Sequence, residues 1–218
     1  MVDLLVAATI VIFLFSYVLA NFRGADRAAD IQRAVIELAT NARGVQAMSF
    51  AGRRLGLCSG LPAEICLVDS DCPSPQVCAL TAPAGGYGLE LTTCAQPGNC
   101  NYRVLAFDDE TQVIADPLSQ LKTFTLRGQS FIREMYYSDQ LAAGTSCPTK
   151  TGGGLVTQVI IRFPFASQSP GVDFFFTPDP DIDAEYAVAI VENTDSQRQW
   201  CLTVARHSGL IAYGPYVP

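Results

Sequence analysis

Residues 1–50, MVDLLVAATIVIFLFSYVLANFRGADRAADIQRAVIELATNARGVQAMSF, decide how the rest of the chain is read. Leu4 to Phe22 carry no charge. These 19 residues would rise about 28 Å as α-helix at ~1.5 Å per residue, close to a bilayer hydrocarbon core of about 30 Å. A cleavable secretory signal is the poorer reading, because the basic start and a small-residue cleavage site are both missing. Strong helix formers continue past the apolar run, interrupted only by Gly24 and Gly44, with no proline before Pro62. The helix is therefore expected to run to about residue 52, roughly 75 Å in all.

In the second half, Ile31, Val35, Leu38, Ala42 and Val45 recur at intervals of four, three, four and three. That spacing sets them on one helical stripe, expected to pack on a sheet. Arg33 and Glu37 stand four apart on another face and are expected to pair there. Arg23 and Arg27 follow the apolar run directly. They can face anionic head groups, Asp26 and Asp30 of neighbouring helices, or water.

The charge is unevenly spread: residues 1–54 hold six basic and four acidic side chains, residues 55–218 eight and 17, within a net of −7. An acidic body with scattered basic residues repels phosphate backbones, which argues against nucleic-acid binding by the head. All eight cysteines, Cys58, Cys66, Cys72, Cys78, Cys94, Cys100, Cys147 and Cys201, lie in that body. No pair has CxxC spacing, and His207 is the only histidine, so zinc ligation is disfavoured and disulfides are expected. Disulfides place the body in an oxidising compartment. Of the 105 pairings open to eight cysteines, those expected are Cys66–Cys78, Cys58–Cys72, Cys94–Cys100 and Cys147–Cys201.

Beyond residue 54 the chain reads as strands. YGLELTT, NYRVLAF, LRGQSFIREMYYS, LVTQVIIRFPF, VDFFFT, EYAVAIVE and RQWCLTVAR are rich in β-branched and aromatic residues and separated by turn formers. HSG, before LIAYG, marks a hairpin with Gly209 free to take positive φ. The fold class expected is α+β. A long N-terminal helix, hydrophobic then amphipathic, packs on one antiparallel sheet with disulfide-tied loops. The divisions are 1–22 (hydrophobic helix), 23–54 (amphipathic continuation) and 55–218 (β-rich head).

The opening MVDLLVAATIVIFLF resembles the start of type IV pilins and pseudopilins, with Asp3 standing where that family carries a glutamate. Met1 falls two residues into the family's mature pattern. ATNARGVQAMSFAGRRLGLC, GGYGLEL, YRVLAFDDETQ and WCLTVARHSGLIAYG are similar to the minor pseudopilin H class. Unlike the family, the middle of the apolar helix, IFLFSYVLAN, holds neither glycine nor proline. The resemblance implies a subunit that enters the inner membrane, is trimmed by a prepilin peptidase, and is drawn by the assembly machinery into an extracellular helical homopolymer. Its core packing would come from Leu4, Leu5, Ile10, Ile12, Phe13, Leu14, Phe15, Val18 and Leu19.

Asp3 has a physical role in that picture. A carboxylate near the lipid boundary pairs most readily with the α-amino group of Met1 or of a neighbouring subunit. Breaking a buried pair costs roughly 3–5 kcal/mol, enough to set axial register. The alternative is a helix-dipole contact in the first turn, at about 0.3–1 kcal/mol. The function expected is thus a structural pilin. A pseudopilin of a type II secretion system and a monomeric membrane-anchored binding domain are the alternatives.

Other sites are weaker. Asp69 and Asp71 in CLVDSDCPSPQVC lack the further ligands of a calcium loop, and Asp179, Asp181, Asp183 and Glu185 lack its glycine turn and distal glutamate. KTGGG has the wrong order for a phosphate loop, and no serine elbow accompanies His207. Neither catalysis, a cofactor nor a metal is expected.

Overall fold

A computed structural model describes residues 2–60, 64–108, 113–116, 121–140, 147–148, 150, 154–165, 171–178, 182–195 and 197–216. Within the N-terminal helix, side chains are described at 6, 8–18, 26 and 28–50.

Helix α1 runs Val2–Phe50. Its end is set by Gly52, at φ +58. The Gly52 amide donates to Ser49 O at 3.0 Å, and the Arg53 amide reaches back to Met48 O at 3.0 Å. These are the two bonds of a Schellman stop, which needs the left-handed residue that glycine supplies without strain.

After a 3-10 turn at Asp69–Asp71 is set aside, the regular structure in the rest of the described chain is β, in three sheets. Strands β1 (Leu55–Cys58) and β2 (Cys78–Thr81) form a small one. A five-stranded sheet takes β3 (Gly86–Thr92), β4 (Asn101–Phe107), β5 (Thr123–Thr125), β8 (Gln158–Phe163) and β9 (Asp173–Thr177) in the order β5-β4-β3-β8-β9. The other takes β6 (Ser130–Ser138), β7 (Leu155–Val156), β10 (Tyr186–Asn193), β11 (Gln199–Ala205) and β12 (Ile211–Pro215) in the order β12-β11-β10-β6-β7. All pairings between these strands are antiparallel.

This corrects the expected fold class of a long helix packed on one antiparallel sheet. Apart from Val6 and Asp26, the described helical side chains fall in two short stretches, 8–18 and 28–50, and only the second packs on strands. The molecule is mostly β, and its strands divide among three sheets. The physical reason lies in the pairing: β6 joins β10 and β3 joins β8 across long stretches of sequence. Such non-local partners leave no trace in local periodicity.

The 28–50 stretch touches both five-stranded sheets. Ile31, Ala34, Val35, Leu38, Ala39 and Ala42 are fully buried, in one core with Tyr87, Leu89, Ile161, Leu202 and Val204. Each large apolar side chain so buried is worth about 1.5–3 kcal/mol. Polar ties fix the helix's rotation. Arg43 Nη2 donates to Ile211 O at 2.9 Å with its guanidinium over the Tyr213 ring, and Gln46 Nε2 donates to Gly209 O at 3.2 Å. Gly209, at φ +62, turns the expected hairpin between β11 and β12.

Buried Ser49 donates to Phe163 O and accepts from the Tyr87 amide at 3.4 Å. It bridges the helix end to β3 and β8. Gly86, at φ +84, makes this approach possible, since a Cβ there would stand 2.8 Å from Ser49 Oγ. The expected Arg33–Glu37 pair is corrected: Arg33 faces Asp30 at 3.6 Å, and Glu37 pairs with Arg127 at 2.8 Å. A tertiary partner has displaced the local one.

Candidate assembly surface

The stretch 8–18 lies on the same helix as the buried stripe but finds no cover. Ile10, Val11, Ile12, Phe13, Leu14, Phe15, Tyr17 and Val18 are all exposed, from 46% at Val18 to 75% at Phe13. Consecutive residues on an α-helix step round by roughly 100°, so Ile10 to Phe15 point in every direction. No face of this stretch rests on the head. Among the described residues, no helix is long and apolar enough to cross a membrane. The uncharged run Leu4–Phe22 also includes residues 4, 5, 7 and 19–22, whose side chains lie outside the described ones.

The two helical stretches therefore do different work. Residues 31–45 build the chain's own core, whereas the apolar side chains of 8–18 stay exposed. Patches of this size on an otherwise folded chain mark a contact with protein or lipid. Of the residues expected to act in assembly, Ile10, Ile12, Phe13, Leu14, Phe15 and Val18 sit together on this surface. Met1 lies outside the described residues, as do the side chains of Asp3, Leu4, Leu5, Leu19, Arg23 and Arg27. The residues expected to pack on a sheet, Ile31, Val35, Leu38, Ala42 and Val45, are all buried.

The eight cysteines form Cys58–Cys72, Cys66–Cys78, Cys94–Cys100 and Cys147–Cys201, and none is free. The Sγ atoms of Cys58, Cys66 and Cys72 lie within 4.8 Å of one another. Their proximity reflects two stacked disulfides, which carry no thiolate for a metal. Asp69 Oδ1 accepts from the Cys78 amide at 2.8 Å, and Asp71 Oδ2 accepts from the Leu67 and Val68 amides at 2.8 and 3.1 Å. The Leu67 and Val68 amides hold the Asp71 carboxyl below its usual range. Both carboxylates thus shape the cysteine loop. Asp183 pairs with Arg206, and His207 Nε2 lies 3.1 Å from Glu185. Asp179 and Asp181 lie outside the described residues.

One feature escaped the sequence reading. Asn41, Gly44, Val45 and Met48 on α1, with Arg53, Leu55, Tyr87, Val104, Leu121, Lys122 and Phe124, line a cavity of ≈ 250 Å³ between helix and sheet. The available signal was Gly44, a mid-helix glycine that disfavours helix by about 1 kcal/mol relative to alanine. Compared with family models, curated proteins and solved structures, the chain matches none.

Proposed function

We propose that this chain is a structural subunit of an extracellular filament of the type IV pilus kind, held together by its N-terminal helices. The observation that carries the reading is the apolar surface exposed on every side of residues 8–18, on a helix whose later turns are locked into a folded head. A helix used this way needs neighbours around its full circumference, which either a bilayer or a bundle of identical helices provides. The subunit would rest in the inner membrane, meet a prepilin peptidase and the assembly machinery there, and end at the cell surface in a homopolymer. In moving from lipid to filament the helix exchanges one apolar environment for another, so the driving force is close packing and paired polar groups rather than transfer from water. Four disulfides in a small head suit an extracellular location.

Asp3 supplies the test. Within this reading its carboxylate pairs with an α-amino group and sets register, so Asp3→Ala should leave membrane insertion intact and abolish incorporation into filaments. Fractionation of membranes and shed material, probed for this chain, reads both. Equal incorporation of Asp3→Ala and the parent chain would remove the register role.

A further inference from the structure

Among the described residues, nothing requires a glycine at position 44. Its φ is not positive, and a Cβ added there would meet nothing within 4 Å. Alanine at this position would favour the helix. What the missing side chain leaves is open space at the wall of the helix–sheet cavity. The cavity, ≈ 250 Å³, is smaller than the ~300–1,000 Å³ of usual small-molecule sites and is sized for one or two side chains. Arg53 and Lys122 are exposed beside it, and no acidic side chain lines it among the described residues.

The same head carries, along β1 and β2, an exposed apolar patch of opposite charge. The Cys66–Cys78 disulfide, with Cα atoms 5.9 Å apart, brings the 66–68 turn beside β2. Leu67, Val68, Val77 and Leu80 are exposed there at 67%, 55%, 51% and 74%. Two disulfides and the Asp69 and Asp71 hydrogen bonds hold this tip in one shape, so little ordering cost attends its docking. Asp69 and Asp71 are its charges, and no basic residue occurs anywhere from 55 to 102.

We propose that the cysteine-loop tip of one copy seats in the Gly44 cavity of a second copy, with Asp69 and Asp71 facing Arg53 and Lys122. An apolar patch flanked by two carboxylates and an apolar cavity flanked by two cations are complementary in sign. Because patch and cavity are different surfaces, the contact is heterologous, and its rotation decides whether it closes into a ring or runs on as a chain. It would join heads to heads, separately from the helix contacts proposed above.

The test uses the full chain in detergent, with benzoylphenylalanine replacing Leu80, mixed with ¹⁵N-labelled copies and irradiated. The expected product joins the tip of one copy to peptide 44–53 or to the 121–127 segment of another, as isotope pairing reveals. Gly44→Leu fills the cavity, favours the helix, and should cut that product by about tenfold or more. Lys122→Glu, at an exposed position, should cut it as well and serves if Gly44→Leu fails to fold. Products confined to one copy, products elsewhere on the surface, or yields untouched by both variants overturn the inference. Filaments lacking this cross-link would remove the head contact and leave the helix assembly standing. The cross-link without filaments would do the reverse.

Discussion

Asn41 on the helix donates through Nδ2 to the hydroxyl of Tyr102 on β4 at 2.7 Å, across 61 residues of sequence. Tyr102 is nearly fully buried and stacks on Phe124, ring centroids 5.2 Å apart. The pair ties the helix to the sheet's far edge, where Phe124 begins to wall the cavity. Asn41→Ala leaves the phenol without this partner, and urea denaturation should report a loss of about 1–3 kcal/mol. Tyr102→Phe, which deletes only the hydroxyl, should cost about 1 kcal/mol.

Alkaline pH should weaken the head. Burial pushes the Tyr87 and Tyr102 hydroxyls up to about 12, and raises that of Tyr136 as well. The unfolded chain loses these protons near pH 10 while the folded chain keeps them. The stability they contribute is therefore fully present below about pH 10 and is lost as pH rises towards about 12. Tyrosinate absorbance and near-UV circular dichroism should change together over that window. Complete tyrosine titration near pH 10 with the fold intact would contradict the burial of these rings.

The two helical stretches should respond oppositely to truncation. Leu38→Ala opens a cavity in the core and should destabilise the head by about 2–5 kcal/mol. Phe13→Ala, at a residue 75% exposed, should leave the head's unfolding midpoint unchanged and reduce the amount of assembled material.

The buried stripe was legible because Ile31 to Val45 obey a 3.6-residue period, whereas the stop at Gly52 shows only in its φ of +58. Most strands stand out as β-branched and aromatic runs. What local sequence does not encode is which strand pairs with which. The partition into three sheets rests on contacts such as Met135 opposite Ala189 and Leu89 opposite Ile161. The short strands β1, β2 and β5 carry little pattern of their own, and CALT in particular is held by the Cys66–Cys78 disulfide and by pairing with β1. Glu37 looked local because Arg33 is four residues away, yet Arg127 takes it. The cavity beside Gly44 needs four separate segments to exist, so only its glycine hinted at it.

Disulfides should stabilise more the longer the loop they close, with a logarithmic dependence on its length. Cys147–Cys201 spans 54 residues and Cys94–Cys100 spans six. Loop-closure entropy assigns them about 4 and about 2 kcal/mol respectively. Replacing each pair by alanines should lower the unfolding free energy in that order, as read by guanidinium titration.

The filament reading meets its most direct test in electron microscopy of material shed by cells that produce this chain, with the chain located by antibody labelling. Thin filaments decorated along their length, and lost when the chain is deleted, are the expected result. Abundant, membrane-inserted chain in cells that shed no labelled filament under any condition of expression would contradict it.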